Sequence, residues 1–507
     1  MSRPGVEVTS STAAPPLGVP TDTSVYFCVG EAAKGPTDKP TRITSLDEFT
    51  ATYGDIIPAA PNGYNGMDAY FHSGGMVAYY QRLVDPTAVA ATGDLATIAG
   101  AAAACEASSQ GEWGNDLTID VGPTPGGTRS SGKSKSSGPE RSERLTYVEP
   151  RAAGAHMATV KLAGVIQATS LPFDLVGELA DWLNTTGLVT VGAVANPTDE
   201  VTDGSALFTG GDDGAVPVVD SNALPDALAC MPKELGPGQL SAPGKSDLDD
   251  QAALLAAGSL TNRVVFLDAA RGSDKSALTT AAASLRGALE DRYGSLWAPW
   301  AVIPGLAQGT VRVVPWSSVQ AGLCARNDRA GNPNQACAGQ WGVADYVQSL
   351  DQTFSPDDCE DLLYAGVCTA RAVYGQIQAY AFRTLVDPAG PRSDWRELNH
   401  ARLNMAIVAE CDAGGQDYVF SQIDGRGHTI AAFGGMCGGV CMSYYSIDAL
   451  FGDDPTEAFE VNTSPSVNPP DQLADGIIKA VLGVRMSPHA ELVRIEIVKQ
   501  PITVPLV

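Results

Sequence analysis

The residues Gly127-Thr128-Arg129-Ser130-Ser131-Gly132-Lys133-Ser134 satisfy GxxxxGK[ST], a pattern in which backbone amides and a lysine surround the phosphates of a nucleotide. That chemistry needs a strand before the loop and a helix after it, because the helix N-terminus holds the amides in place. Here Pro123 and Pro125 stand before the pattern, and Lys135-Ser136-Ser137-Gly138-Pro139, which does not make a helix, follows it. A nucleotide-handling enzyme built on Lys133 is therefore only a distant alternative. The histidines His72, His156, His400, His428 and His489 lie far apart, and none belongs to a nucleophile or zinc motif. Cys437 and Cys441 near His428 offer three ligands where a structural zinc site needs four. Asp357-Asp358 and Asp453-Asp454 sit beside Pro and Ser at turns and helix starts, and Asp212-Asp213 lies between glycines in a tight turn. These residue types predict no catalytic site, no metal site and no cofactor.

The elements that would position such groups read as α/β (α+β) multidomain architecture, a mixed sheet with flanking helices. At 507 residues the chain is long for one hydrophobic core. Val25-Tyr26-Phe27-Cys28-Val29-Gly30 is a buried strand, and Ser45 with Glu48 forms a capping box that starts a helix. Leu117-Thr118-Ile119-Asp120-Val121 alternates as a half-buried strand, and strand and helix follow over 159–165 and 173–183. Residues 262–268 read as a buried strand, 276–293 as one helix, 295–303 as another strand, and 395–408 as a helix. The boundaries that result are 1–24, an N-terminal linker arm; 25–95, the first part of the core; and 96–214, an inserted β-rich domain. They continue with 215–380, a central domain; 381–490, a C-terminal domain; and 491–507, a C-terminal strand arm.

A formal net charge of -26 repels phosphate backbones and anionic lipid, so neither nucleic acid nor a membrane surface is an expected partner. No apolar run reaches membrane-spanning length. The start Met1-Ser2-Arg3-Pro4-Gly5 has no apolar signal core, which counts against a surface-layer protein or adhesin. Ten scattered cysteines without a CxxC pair read as reduced thiols made in a cytoplasm.

The two ends carry the most specific signal. Val6 and Val8 share one face of a short extended run tethered by a Ser/Thr/Ala/Pro stretch to residue 20. Val493, Ile495 and Ile497 share one face of an alternating strand, and Ile502 and Val504 begin another after Pro501. A strand without a neighbour exposes unpaired amides and carbonyls and needs a sheet edge to complete, in its own chain or in another.

Several motifs, in order, carry a resemblance. Pro4-Gly5-Val6-Glu7-Val8, Phe27-Cys28-Val29-Gly30, Gly111-Glu112-Trp113-Gly114-Asn115 and Trp297-Ala298-Pro299-Trp300 are followed by Ala321-Gly322-Leu323-Cys324-Ala325-Arg326-Asn327-Asp328. Arg383-Thr384-Leu385, Asn399-His400-Ala401-Arg402-Leu403 and Glu491-Leu492-Val493-Arg494-Ile495 complete the series. Together they resemble the contractile tail-sheath family over nearly the whole chain. Cys368 stands where that family usually has a polar residue, and the Ser/Gly/Lys loop at 126–144 is unusual for it.

The resemblance implies a structural subunit, not an enzyme. It implies a helical homo-oligomer of hexameric rings around a tail tube protein, bounded by baseplate and tail terminator proteins. Both arms would complete a neighbour's sheet, the inserted domain would face outward, and contraction would drive the tube through a membrane. Assembly would take place in a host bacterial cytoplasm, on a phage tail or a contractile injection system. Asp471 and Asp475, at a helix start after Pro469-Pro470, are candidate tube contacts.

Overall fold

The computed structural model describes residues 21–94, 104–124, 156–287 and 289–496. Val6, Val8, Ile497, Ile502, Val504 and the phosphate-like loop lie outside the described residues. The chain is α/β with several sheets, and it divides into two compact units.

One unit takes residues up to Phe27, Ala69–Val77 and everything from Pro232. Its sheet sets Gln239–Ser241, Val264–Asp268, Gly294–Ala298 and Val367–Val373 side by side in parallel. Gln376–Ala379 returns antiparallel against the last of these. Parallel strands are covered on both faces, which is why Val264–Asp268 and Gly294–Ala298 are buried at every position.

The helix Leu248–Thr261 packs on this sheet so closely that a Cβ at Gly258 would lie 2.3 Å from Val265 Cγ2 and 2.8 Å from the Arg263 carbonyl oxygen. Asn262 ends that helix in a left-handed turn, φ 55. Trp297 and Trp316 stack beneath the sheet with ring centroids 6.5 Å apart. Asp268, at the end of its strand, accepts from the amide and hydroxyl of Ser317 at 2.9 and 2.6 Å, and so caps the helix Trp316–Asp328. Burial pushes its carboxyl up to about 6, against the pull of those hydrogen bonds.

Two expected elements are broken in two. The run 276–293 is a helix over Lys275–Ser284 and a separate 3-10 turn over Leu289–Tyr293, because Gly287 intervenes at φ 100. The run 295–303 is two strands, Gly294–Ala298 in the main sheet and Ala301–Pro304 in a small sheet with Val311–Val314 and Ser349–Leu350. Pro299, which cannot donate to a ladder, sits between them. The chain then makes a helical hairpin, Leu398–Gly415 and His428–Ser446, followed by a two-stranded ribbon of Phe459–Asn462 and Val481–Val484.

The other unit holds 28–68 and 78–231 among the described residues. Its larger sheet is antiparallel and seven-stranded, in the order Val165–Thr169, His156–Leu162, Leu117–Pro123, Gly204–Thr209, Thr92–Asp94, Ala104–Ala107, Val189–Val191. Leu117, Ile119 and Val121 point to the core, while Asp120 between them pairs with Lys161 at 2.7 Å on the other face. The helix Val176–Thr185 lays Val176, Leu179 and Leu183 on that core, positions one turn apart. The helix Leu46–Tyr53 starts as expected: Ser45 Oγ accepts from the Glu48 amide, and Glu48 reaches back to the Thr44 amide at 2.7 Å. Asp212 accepts from the Gly214 amide and so serves the turn, whereas Asp213 reaches across to accept from the Glu112 amide.

Candidate functional site

Residues 485–491 are held within the first unit by a set of polar contacts, and residues 492–496 beyond them are exposed. Asn334 donates to the carbonyls of Ala449 and Ser487 at 3.1 and 2.8 Å, while its own oxygen accepts from Asn399 at 2.9 Å. The Ser487 amide donates to Ala449, and His400 Nε2 lies 3.3 Å from the Ser487 carbonyl. Backbone pairing brings Arg383 opposite Glu397, which stands at the N-terminus of the helix Leu398–Gly415.

Four charged side chains then close on one another. The guanidinium of Arg383 forks onto Glu491, with Nε to Oε1 at 2.9 Å and Nη2 to Oε2. His489 stands between two carboxylates, Nδ1 3.4 Å from Glu397 and Nε2 3.6 Å from Glu491. Its Nδ1 is also 3.1 Å from Asn399 Oδ1. With an acceptor facing each nitrogen, the imidazolium is the form that satisfies the site. Burial opposes that charge, but Glu397 and Glu491 outweigh it and push the pKa up to about 9. Glu491 is held down at about 2, first by His489 and then, against burial, by Arg383. Glu397 is also lowered, since His489 and His400 overcome its burial.

From this root the backbone turns outward. Leu492, Val493 and Ile495 are 70%, 75% and 83% exposed, and residues 492–496 pair with no strand among the described residues. Val493 and Ile495, two positions apart, thus present aliphatic side chains to solvent where sequence patterning expects a strand. Beside the root lies a groove of ≈ 750 Å³ walled by Trp341, Tyr364, Arg371, Tyr380, Arg383 and Leu492. Arg371 lies over the Tyr380 ring, 4.3 Å from its centroid.

The motifs that carry the resemblance meet in space in pairs. Arg383-Thr384-Leu385 and the Glu491 motif supply the two halves of the fork. Asn399-His400-Ala401-Arg402-Leu403 and the motif ending at Asp328 supply a buried ion pair, Arg402 with Asp328. Arg402 also donates to the Pro333 carbonyl at 3.3 Å, and Asp328 accepts from Thr23 Oγ1 at 2.8 Å. Sequence reading placed weight on the arm residues and passed over His489 and Glu397. Each has a near neighbour in the cluster, Glu491 for His489 and His400 for Glu397, but the contact that joins the two, His489 with Glu397, spans too much chain for local spacing to mark it.

Asp471 and Asp475 are not a shared helix start. The helix Pro470–Ala474 is little more than one turn; Asp471 lies in it, and Asp475 is its C-terminal cap, whose amide donates to the Asp471 carbonyl. Cys437 and Cys441 are buried one turn apart, and all ten cysteines are free thiols. Among the described residues no group of three or more His, Cys, Asp or Glu is placed to hold a metal ion, and no helix is long and apolar enough to cross a membrane.

An α/β body of this topology, with a polar root and an exposed aliphatic end, has the fold of contractile-tail sheath proteins. The sheath tail protein of Desulfitobacterium hafniense matches with a TM-score of 0.56 and 14% identity, over 90% of this chain and 93% of that one. The sheath tail protein of Listeria innocua matches with a TM-score of 0.61 and 12% identity, over 88% and 89%. The helical sheath of the anti-feeding prophage in its contracted state matches with a TM-score of 0.54 and 16% identity, over 99% and 100%. All three are sheath proteins. No protein-family model matches the sequence, and no curated protein matches it.

Proposed function

We propose that this chain is the sheath subunit of a contractile tail or injection machine, polymerising around a tail tube by donating its terminal strands to neighbouring copies. The observation that carries the reading is the exposed, unpaired aliphatic segment 492–496, at the end of a body whose fold matches sheath proteins over nearly its whole length. Each backbone hydrogen bond of an added strand contributes only about 0.5–1.5 kcal/mol net. A few per arm, repeated over a helical lattice, keep subunits joined while their packed surfaces repack between two arrangements. Contraction then draws on energy stored at assembly, with no nucleotide consumed. The partners in this reading are further copies in hexameric rings, the tube protein, and baseplate and terminator proteins, in an assembly completed in the host cytoplasm. Val6 and Val8 at one end, and Val493, Ile495, Ile497, Ile502 and Val504 at the other, are the strand-forming positions. Asp471, within the short helix, and Asp475, at its C-terminal end, are the candidate tube contacts.

Electron microscopy of the purified chain tests this. The full chain is expected to form tubes or stacked rings, whereas versions lacking residues 1–20 or 492–507 stay folded and monomeric. Normal tubes from both truncated versions would overturn strand donation. Capsid genes beside the coding sequence assign the machine to a phage; their absence, with injection genes in their place, assigns it to an injection system.

A further inference from the structure

The first unit contains a charged cluster that the proposed assembly does not by itself require. A strand that joins neighbouring copies is pulled along its length whenever those copies move. Its root therefore has to resist peeling. Past the paired strand Val481–Val484, the Arg485 amide donates to the Ala458 carbonyl, and the Phe451 and Ser487 amides donate to Arg485 and Ala449 to form the Leu450–Met486 bridge, before the chain turns outward. Two or three backbone bonds at the end of a chain fray readily. The charged groups lie just beyond these bonds, between the last backbone pairing and the first exposed aliphatic residue.

We propose that Arg383, Glu397, His489 and Glu491 form an ionic clasp that fixes where the C-terminal strand leaves the body and takes the pull when the strand is held by another copy. They are positioning residues: none is offered to the neighbouring copy, and each acts through the strand it anchors. What the strand does rests on the proposed function, whereas the clasp itself is a property of the single chain.

The geometry is matched to this task. Arg383 reaches Glu491 by a two-bond fork, which resists rotation as well as separation. Arg383 is in turn fixed through its own backbone, whose amide and carbonyl both lie 3.2 Å from Cys368 Sγ. His489 ties the same strand to the start of the helix Leu398–Gly415 through Glu397 and Asn399. The groups facing the clasp from the surrounding elements are Arg396, 3.9 Å from Glu397, and His400, 3.4 Å from Glu397. Arg396 adds a permanent positive charge beside Glu397, so with Arg383 and His489 the carboxylates of the cluster are compensated and stay ionised through ordinary pH.

The weak member is therefore the imidazole. His489 has a folded pKa raised to about 9, above its unfolded value of about 6.5. Its contribution is complete below the unfolded value and is lost as pH rises through the folded one. Glu491, held down at about 2, contributes fully above its unfolded value of about 4.3 and loses that contribution as pH falls toward the folded one. The clasp is thus strongest between about pH 4.3 and 6.5, weakens in acid through Glu491, and loosens on the alkaline side through His489.

Two measurements on the full chain test it. Imidazole NMR of the ¹³C-histidine-labelled protein follows His489, assigned by its loss in His489→Asn. Its midpoint is expected near 9 in the wild type, falling by about one unit or more in Glu491→Gln. Tubes of wild type and His489→Asn are then compared between pH 7.5 and 10 by light scattering and electron microscopy. Wild-type tubes are expected to lose subunits through a step near that midpoint, while His489→Asn tubes are weaker throughout and lack the step. Glu491→Gln is expected to lower tube yield by about tenfold or more at pH 7.5, with an unchanged melting temperature of the monomer. An ordinary His489 midpoint, or the same alkaline step in His489→Asn tubes, overturns the clasp. If the wild type makes no tubes, the sheath reading fails, and the NMR midpoint still decides the clasp.

Discussion

At the residue scale, the clearest liability is the Arg402–Asp328 pair, both sides of which are almost wholly buried. Burial works against both charges, and the contact with Asp328 holds Arg402 protonated. Replacing Arg402 by Met leaves Asp328 in the interior without its counter-charge, for which about 3–5 kcal/mol of lost stability is expected. The Arg402→Met/Asp328→Leu double variant is expected to recover much of that loss, measured as midpoints of urea unfolding with unchanged slope. A single variant as stable as the wild type would mean that water or another cation reaches Asp328. The sequence places Arg402 and Asp328 in two separate motifs and gives no sign that they touch. Their separation of 74 positions is closed only by the tertiary fold. The same holds for Arg383 with Glu491 and for His489 with Glu397. Chemistry that is local in space but distant along the chain leaves no periodicity to read.

Elements were more legible, and the exceptions have local causes. The strand at 25–30, the capped helix after Ser45, the alternating strand from Leu117 and the buried strand ending at Asp268 are all where their patterns put them. The Ala-rich run after Ser276 and the apolar run after Ser295 were read too long, because hydrophobic content hid the breaks at Gly287 and Pro299. The final strand pattern, from Glu491, is not paired within its own chain over its described part, which patterning alone leaves open. Gly258 tests how firmly one such element is seated. On helix propensity alone, Gly258→Ala gains about 1 kcal/mol. The added methyl, however, meets Val265 and the Arg263 carbonyl at distances that backbone cannot yield cheaply. Overpacking of this kind costs about 1–3 kcal/mol, so net destabilisation is expected by thermal unfolding. A stabilised variant would show that the helix Leu248–Thr261 can lift from the sheet.

On the scale of the whole molecule, charge and assembly oppose each other. A net charge of -26 keeps free copies apart, and the proposed helical lattice would have to bring many of them together. The Debye length falls from about 30 Å at 0.01 M salt to about 10 Å at 0.1 M, so raising salt across that range screens this repulsion. Faster tube growth is the expected result, followed by turbidity at fixed protein concentration. Slower growth over the same range would mean that attraction between opposite charges, and not strand pairing, drives assembly. The partly buried fork of Arg383 and Glu491 is screened far less than surface charge, so salt that speeds growth leaves the strand's root closed.

The separation of that fork along the chain has a consequence in time. Arg383 and Glu491 are 108 positions apart, and synthesis proceeds at about 5–20 residues per second. For roughly 5–20 seconds each nascent chain therefore carries an Arg383 with no partner and a body whose joining strand has not been made. A copy still on the ribosome cannot offer its C-terminal strand to finished neighbours. In the proposed assembly, the order of translation itself keeps an incomplete subunit from donating its C-terminal strand, although its N-terminal arm is made first.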